Sequence, residues 1–275
     1  TWRPRLHERM RVRSKQPLDE AMIRASLGTE ARAMLGGFSV LASVDSTNAE
    51  LMRRPGPPDH AEVCLAEQQT AGRGRRGRPW ASPPGSNLYV SVSSRFDGGI
   101  EAMAGLPLAV GVALCDALEA LGVDGLALKW PNDVLRRGGK LAGTLIELQG
   151  DASGPCRAIV GTGVNVRMPP EVARSIDQSW ADLADLDLCR SELAAAFLDR
   201  LLPLLADFAA DGFAPWRERW ESRNVHAGVP VRILGSGPDL TGTAMGVDER
   251  GALLLQTATG MQTIHGGEVS MRTVS

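Results

Sequence analysis

The sequence lacks the residue patterns that mark metal, redox and covalent catalysis. Its four cysteines are far apart and none belongs to a CxxC pair, which is typical of reduced thiols in a cytosolic protein. Its four histidines do not have the spacing of zinc ligands. No Ser-His-Asp arrangement offers an activated nucleophile. We therefore expect no disulfide framework, no zinc site and no covalent protein intermediate.

Long apolar runs and a strong net charge are also missing. The longest apolar stretch, around residues 106–115, is shorter than the roughly 18 residues that a membrane-spanning helix needs. Residues 1–16 lack the apolar centre of a secretory signal. The formal charge of −2 argues against a general nucleic-acid binder. These absences predict a cytoplasmic globular protein without a membrane partner.

The start of the chain is basic. Residues 1–16 hold five arginines and one lysine against a single acid, Glu8. We expect a disordered basic tail over these residues, and contact with nucleic acid or a membrane surface is the alternative interpretation.

Two patterns divide the rest of the chain. Residues 17–225 mix helical and strand periodicities, whereas residues 226–275 contain short alternating runs separated by glycine-bearing turns. The first pattern predicts a large mixed domain and the second a small all-β domain. We expect helices over residues 17–35, from 49 onward, and over 106–121, 191–208 and 215–222. We expect strands over residues 38–44, 63–67, 88–93, 126–130, 141–148 and 158–166, with 126–130 paired to 141–148.

Residues 72–78 carry four arginines on a backbone that contains three glycines. Glycine permits positive φ and close approach of a ligand, and arginine offers a planar fork of donors to phosphate and carboxylate oxygens. Repulsion among the four cations predicts a loop that stays open until a polyanion neutralises it. Two interpretations remain: a loop that closes over the phosphates of a nucleotide, or a solvated basic turn.

Residues 129–133 read Lys-Trp-Pro-Asn-Asp, and Pro131 cannot continue a central strand. Asp133 is a candidate magnesium ligand, and Lys129 is a candidate partner for a phosphate or carboxylate. The alternative is a plain turn, since Asn and Asp side chains often cap their own backbone. Lys140 lies beside two glycines at the start of an apolar strand, where it either reaches a ligand or is solvated.

Glycines also lie inside a strand at Gly161 and Gly163. This pattern predicts that a ligand approaches the backbone there, and Asn165 would present its amide to that ligand. Trp80 and Trp180 are each equally suited to a core position and to a stacking platform. No GKS or GKT triplet follows the arginines, so residues 72–78 are not a P-loop.

Many cations, one candidate magnesium ligand and no activated nucleophile favour one class of chemistry. A carboxylate would attack the α-phosphate of a nucleoside triphosphate. The protein would contribute positioning and electrostatic stabilisation.

Five motifs in this order resemble those of the biotin protein ligases. They are DSTN at 45–48, GRGRRG at 72–77, KWPND at 129–133, KLAG at 140–143 and GTGVN at 161–165. The ending GGEVSMR at 266–272 is similar as well, and the similarity covers residues 17–273. The resemblance implies an α+β fold: a class II synthetase-like mixed β-sheet flanked by helices, plus a small C-terminal SH3-like β-barrel.

The resemblance implies a two-step ligase with ATP and biotin as substrates and Mg²⁺ as cofactor. Biotin's carboxylate attacks the α-phosphate of ATP to give biotinyl-5′-AMP and pyrophosphate. A specific lysine of the biotin carboxyl carrier protein, a subunit of acetyl-CoA carboxylase, then takes the biotinyl group and AMP leaves.

It also implies roles for individual residues. The biotin site would comprise Ser46, Thr47, Asn48, Gln69, Gly72, Arg73, Gly74, Arg75, Arg76, Gly77, Trp80, Lys140 and Gly143. The nucleotide would contact Arg75, Lys129, Asn132, Asn165, Trp180, Glu268 and Arg272, with the metal on Asp133. Lys140 and Arg75 are the implied catalytic residues: Lys140 stabilises charge as pyrophosphate departs, and Arg75 retains the adenylate.

The N-terminal part of this sequence differs from that of some family members. Some members carry an N-terminal winged helix and repress biotin synthesis, but only about 16 residues precede the first expected helix here. We therefore expect a ligase without specific DNA binding, unless the chain is truncated, and either a monomer or a homodimer. The alternatives are a lipoate or octanoate protein ligase, and a biotin sensor that binds DNA through the basic tail.

Overall fold

The computed structural model describes residue 13 and residues 16–55, 60–150, 154–235, 239–266 and 269–273. Its helices are α1 (Glu20–Ser26), α2 (Thr29–Met34), α3 (Thr47–Arg53), α4 (Leu106–Ala120), α5 (Pro170–Ala173), α6 (Arg190–Asp211) and α7 (Arg217–Glu221). Its strands are β1 (Leu35–Leu41), β2 (Ala61–Ala66), β3 (Leu88–Phe96), β4 (Leu126–Lys129), β5 (Asp133–Arg136), β6 (Gly139–Gly150), β7 (Cys156–Val164), β8 (Pro230–Leu234), β9 (Leu240–Val247), β10 (Leu253–Thr257), β11 (Gly260–Ile264) and β12 (Ser270–Thr273). The basic tail expected over residues 1–16 lies outside the described residues, apart from 13 and 16.

The first seven strands form one mixed sheet in the order β1-β2-β3-β7-β6-β5-β4. β1 and β2 are parallel, and the other neighbouring strands are antiparallel. Both faces of β2 are covered: Cys64 packs with Leu51 of α3, whereas Val63 and Leu65 join the main core on the other side. The mixed sheet flanked by helices that the resemblance implies is confirmed.

Helix α4 is apolar nearly all round because it lies in the core. Leu106, Leu114 and Leu118 are fully buried, and the helix packs against both α6 and the sheet. By length and composition alone, Ile100–Ala120 could cross a membrane, so the apolar segment is longer than the sequence pattern indicates. Its burial within the fold accounts for its composition.

The single helix expected over residues 17–35 is two helices. α1 ends at Ser26, and Gly28 is the N-cap of α2. The N–H of Gly28 donates to Asp199 Oδ1 of α6 at 2.6 Å, and a Cβ at Gly28 would lie 3.0 Å from that oxygen. A tertiary contact with α6 therefore interrupts the helical periodicity.

The expected pairing of residues 126–130 with 141–148 is wrong because β5 lies between them. The chain turns at the cis Trp130-Pro131 bond and folds back, so that Lys129 is opposite Asp133. β5 then pairs with β6. A four-residue strand with turn residues on both sides carries too little periodicity to be read from the sequence.

A buried ion pair between Arg190 and Glu67 holds residues 16–18 against the large sheet. Arg190, at the start of α6, is only 1% exposed, and its guanidinium lies 2.6 Å from Glu67 Oε2. The other Glu67 oxygen accepts the N–H of Leu18 at 2.6 Å, and Arg190 donates to the carbonyl of Gln16 at 2.8 Å. Breaking a buried pair leaves an uncompensated charge, so this pair holds residues 16–18 against β2.

The C-terminal strands form an antiparallel sheet in the order β11-β10-β9-β8-β12, which confirms the predicted small β domain. Val231, Leu253 and Met271 of this sheet belong to the same hydrophobic cluster as the core of the large sheet. Trp130 also lies in this cluster and donates its indole N–H to the carbonyl of Gly251 at 3.1 Å. A shared core therefore holds the small sheet beside the turn at 129–133.

We predict that Gly251→Ala weakens the contact between the small sheet and the N-terminus of α4. Gly251 has φ 79°, and a Cβ there would lie 2.7 Å from the Cα of Gly105. The free energy of unfolding, measured by urea denaturation, should fall by about 2–4 kcal/mol, since left-handed strain and overpacking add.

The matched control is Gly122→Ala. Gly122 has a similar φ of 81°, but a Cβ there meets nothing within 4 Å. This variant should lose only the strain contribution, about 1–2 kcal/mol. Equal losses in the two variants would contradict a close contact at Gly251.

Candidate active site

A cleft of about 650 Å³ lies over the start of β6 and the end of β7, between the N-terminus of α3 and the C-terminal sheet. Its walls contain most of the residues singled out from the sequence, namely Ser46, Thr47, Asn48, Gln69, Arg73, Gly74, Arg75, Arg76, Trp80, Lys129, Asn132, Asp133, Lys140, Gly143, Asn165, Trp180 and Arg272. Gly72 and Gly77 belong to the arginine loop without lining the cleft, and Glu268 lies outside the described residues. The fold thus brings segments far apart in sequence to one place.

The N-terminus of α3 forms a polar wall. Ser46 is the N-cap, and its hydroxyl accepts the N–H of Ala49. Thr47 donates from its backbone N–H and its hydroxyl to Gln69 Oε1, at 2.9 and 3.1 Å. Gln69 Nε2 in turn donates to Ser82 Oγ at 3.0 Å. Because each group has fixed partners, the wall is oriented before any ligand arrives.

Asn48 and Trp80 complete this wall by packing against β7. Ser91 Oγ lies 2.6 Å from Asn48 Oδ1. A Cβ at Gly161 would overlap the amide of Asn48, and a Cβ at Gly163 would overlap the indole of Trp80. The groups that approach the two glycines are protein side chains, whereas the sequence pattern indicates a ligand.

The arginine loop, residues 72–78, is folded rather than open. The N–H of Trp80 donates to the carbonyl of Gly72 at 2.9 Å, and the N–H of Gly74 donates to the carbonyl of Arg78 at 2.7 Å, so the two sides are joined like a hairpin. At the tip, Arg76 has φ 59° and ψ 33°, in the left-handed region. Repulsion alone predicts an open loop; the observed loop is closed because its cations have partners on other elements.

Two arginines of the loop reach the C-terminal sheet. The guanidinium of Arg75 donates to the carbonyl of Val269 at 3.1 Å and also to the carbonyl of Gly266. Arg76 donates to Ser270 Oγ at 3.3 Å. The loop is therefore a bridge over the cleft between the two sheets.

The third arginine turns to β6. Arg73 Nη2 lies 3.1 Å from Glu147 Oε1, and the other carboxylate oxygen of Glu147 accepts from Asn48 Nδ2 at 2.8 Å. Sequence reasoning missed Glu147, because a single acid in an apolar strand reads as an outward-facing residue. Ser91, which orients Asn48, was missed because a serine within a strand gives no local sign of a functional contact.

Positive charge is concentrated near Asp133. Lys140 Nζ lies 2.7 Å from Asp133 Oδ1 and 5.4 Å from the centre of the Trp80 ring. Burial lowers the pKa of Lys129; the charge of Asp133 opposes this shift, while Arg272 and Lys140 add to it. The cleft therefore holds more cations than its carboxylates, Asp133 and Asp177, offset, and an entering anion would be stabilised.

Asn165 and Trp180 help to build the opposite wall. Asn165 Nδ2 donates to the carbonyls of Lys140 and Ala181, at 3.3 and 3.1 Å. The backbone of Trp180 bridges to Lys140, and a Cβ at Gly139 would lie 2.5 Å from the Trp180 carbonyl oxygen. Glycine at 139 thus lets the segment around Trp180 close against β6.

The described residues contain no group of three or more His, Cys, Asp or Glu side chains placed to hold a metal. The chain therefore offers no self-sufficient metal centre in this part. Mg²⁺ is usually bound through one or two carboxylates together with substrate phosphates. Asp133 is a carboxylate in a cation-rich cleft, so it fits a Mg²⁺ site that is completed by substrate phosphates. It does not fit a site built from several protein carboxylates.

This arrangement suits two ligands of different character, one partly apolar and the other strongly anionic. The polar wall of α3 and the ring of Trp80 surround one part of the cleft, and Lys129, Lys140 and Arg272 surround another. Cations that are held in place before the reaction stabilise charge developing on a transferring phosphoryl group. The cleft can therefore bind a polyphosphate beside a small, partly apolar molecule.

Comparisons with known proteins agree with this geometry. A family model described as the biotin/lipoate A/B protein ligase family matches residues 40–165, and a model described as the biotin protein ligase C terminal domain matches residues 226–272. The biotin–[acetyl-CoA-carboxylase] ligase of Paracoccus denitrificans is 39% identical over 242 residues, which cover 84% of this chain and 98% of that protein. The bifunctional ligase/repressor BirA of Escherichia coli (strain K12) is 38% identical over 239 residues, 86% of this chain and 74% of that protein.

The fold is likewise similar to a solved structure. The biotin protein ligase from Aquifex aeolicus in complex with biotin and ATP matches with a TM-score of 0.73 and 32% sequence identity. The match covers 86% of this chain and 99% of that one.

The electrostatics of the cleft predict opposite effects of two lysine substitutions on stability. Lys129→Met should raise the melting temperature at pH 7, because it removes a charge that burial disfavours. The folded state lowers the pKa of Lys129, so the penalty is complete below that pKa, falls as the pH rises above it, and is gone once the pH exceeds the pKa of the unfolded chain. The gain from Lys129→Met should therefore shrink at alkaline pH in thermal scans.

Lys140→Met is the matched comparison. Its ammonium pairs with Asp133 at 2.7 Å, so removing it leaves a largely buried carboxylate without that partner. This variant should lower the melting temperature at pH 7. A destabilised Lys129→Met variant would contradict the account of the cleft.

Proposed function

The chain belongs to the biotin protein ligase family, and on that premise we propose that it joins biotin to a specific lysine of a biotin carboxyl carrier domain at the expense of ATP. The observation that carries the proposal is that a polar-anchored pocket and a cation cluster share one cleft, with Lys140 between them. The name of the Paracoccus relative points to acetyl-CoA carboxylase as the source of the carrier.

The wall formed by α3 suits biotin. Biotin's ring system and valeryl chain are mostly apolar, so a few fixed polar anchors in a largely apolar pocket are enough to bind it. We place the ureido group against Ser46, Thr47 and Gln69. The chain would run along Trp80 and Gly143, where a Cβ at Gly143 would come within 3.4 Å of the indole and narrow the space.

In the first step, a carboxylate oxygen of biotin forms a bond to the α-phosphorus of ATP, and the bond to the leaving pyrophosphate breaks. Lys140 supplies positive charge where the two substrates meet. Lys129 and Arg272 face the β- and γ-phosphates. Mg²⁺, with Asp133 as its protein ligand, would neutralise part of the phosphate charge when bound.

The adenosine end would lie against Asn165 and Trp180, with Asn132 near the phosphates. Asn132 Nδ2 donates to the carbonyl of Thr144 at 2.7 Å, so its amide is already oriented. Asn165 is oriented in the same way by two carbonyls of the wall. These fixed amides would position the nucleotide without a conformational change of their own.

The arginine loop would retain the product of the first step. An acyl-adenylate reacts with water, so a loop that covers it protects it. Arg75 bonds to neutral carbonyls in the described structure. A phosphate offers a charged acceptor and a stronger hydrogen bond, so Arg75 would exchange these partners for the adenylate.

In the second step, the amine of the carrier lysine attacks the carbonyl carbon of the mixed anhydride. The new C–N bond forms, the C–O bond to AMP breaks, and the amine loses a proton. The loop must then leave the anhydride accessible from the carrier side. Positioning the amine is the main contribution available to the protein in this step.

Other properties stay predictions. We assign residues 17–225 to the ligase domain and residues 226–275 to the C-terminal domain. A cytoplasmic location, a monomeric or homodimeric state and the lack of specific DNA binding and of a membrane partner are likewise predicted. Each can be measured independently of the reaction.

We predict that Lys140→Ala lowers the rate of biotin transfer by roughly 10²–10³-fold, because it removes a group that stabilises the transition state. Mass spectrometry and a streptavidin blot of an isolated carrier domain would measure this. Arg95→Ala is the control, since Arg95 is an exposed arginine at the end of β3 paired with Asp97, outside the cleft.

Wild-type protein should add the mass of one biotin to one carrier lysine, and should not add lipoate or octanoate offered under the same conditions. Transfer of lipoate instead of biotin would move the assignment to the other branch of the matched family. Unchanged transfer by Lys140→Ala would remove Lys140 from the mechanism.

We also predict that Arg75→Gly releases biotinyl-5′-AMP and labels lysines indiscriminately. The loop would lose its contact to the phosphate and its bonds to Gly266 and Val269. A lysine-rich bystander protein in the assay should become biotinylated. Labelling of the enzyme itself should stay low, since the chain has only Lys15, Lys129 and Lys140 besides its terminal amine. Labelling confined to the carrier domain would show that Arg75 does not retain the adenylate.

A further inference from the structure

Glu147 lies where the biotin pocket and the arginine loop meet. It stands on β6, opposite Ile159 of β7, and its side chain is 25% exposed. One carboxylate oxygen accepts from Asn48 Nδ2 at 2.8 Å, and the other lies 3.1 Å from Arg73 Nη2. A single carboxylate thus joins an element of the pocket wall to an element of the loop.

The Asn48 end of this connection is rigid. Asn48 is 4% exposed, its Oδ1 lies 2.6 Å from Ser91 Oγ, and its Nδ2 also donates to the carbonyl of Leu145 at 3.3 Å. The amide of Asn48 occupies the space that a Cβ at Gly161 would fill, so it packs directly on the backbone of β7. Asn48 therefore fixes the position of the Glu147 carboxylate.

The Arg73 end belongs to the arginine loop. Arg73 lies in the stem of the loop, where its backbone bridges to Pro79. Its side chain is 49% exposed, so the ion pair is the contact that ties this side of the stem to the sheet. Arg75 and Arg76 tie the tip to the other sheet.

We infer that Glu147 is a positioning residue that couples the biotin pocket to closure of the arginine loop by holding Asn48 and Arg73 at once. The assignment of this pocket to biotin rests on the proposed function. The carboxylate has two acceptors and no hydrogen to donate, which matches two donors. A ligand bound against α3 holds Asn48 in place, and through Glu147 it strengthens the hold on the loop stem.

Glu147→Gln tests this coupling with little change of shape. A glutamine has one acceptor oxygen, so its NH₂ group must face either the amide hydrogens of Asn48 or the guanidinium of Arg73, and one contact is lost. A partly exposed ion pair is worth up to about fivefold in an equilibrium. We therefore expect an effect of roughly two- to fivefold on loop opening.

Limited trypsin digestion of the ligand-free full chain reports loop opening directly, since the loop contains cleavable arginines. Cleavage after Arg75 and Arg76, mapped by mass spectrometry, should be about two- to fivefold faster in Glu147→Gln, with the melting temperature lowered by no more than about 2–4 °C. With biotin and ATP, the lifetime of bound biotinyl-5′-AMP should shorten by a similar factor and the KM for biotin should rise, while kcat for transfer stays within about twofold.

Arg73→Gln and the double variant separate coupling from a general loss of stability. Both variants should show the same accelerated cleavage as Glu147→Gln, because the three changes break one connection. Asp97→Asn, which removes an exposed arginine partner far from the cleft, should leave cleavage unchanged. Additive effects in the double variant, or unchanged cleavage in Glu147→Gln, would overturn the inference. The digestion does not depend on catalysis, so it separates this result from a failure of the proposed reaction.

Discussion

Positive charge confined in a partly buried cleft is the constraint on which the site depends. Burial disfavours the charged form of Lys129, and the charges of Arg272 and Lys140 add to this effect. Water and salt would screen such charges on an open surface, but screening is weaker in a cleft. The same electrostatics that are unfavourable in the empty cleft become favourable when a polyphosphate enters. Affinity for the anion is thus built into the fold.

Two structural devices hold this charge in place. The sharp return from β4 to β5 sets Lys129 opposite Asp133, and Asp133 in turn pairs with Lys140 from the start of β6. The shared core around Trp130 keeps the C-terminal sheet beside that turn, so that the arginine loop can bond to both sheets. The loop then has a defined closed form, held by Arg75 and Arg76.

Much of this could be predicted from the sequence. The helix N-cap within residues 45–48 and the long helices α4 and α6 follow from local patterns. The convergence of the motifs on one cleft follows from the resemblance to the biotin protein ligases. Three features could not be predicted from the sequence. β5 is too short to show a period, the break at Gly28 comes from a contact with α6, and Glu147 is recognised only when Asn48 and Arg73 are seen on either side of it. The closed loop was missed because repulsion was weighed without the acceptors that other elements supply.

Biotin-dependent exchange of labelled pyrophosphate into ATP, measured without any carrier protein, tests the central claim most directly. Exchange requires that the carboxylate attack the α-phosphate and that the step reverse within the closed cleft. The account predicts exchange that needs biotin and Mg²⁺ and gives no ADP. Release of ADP and phosphate, or transfer to a carrier domain without exchange, would contradict it.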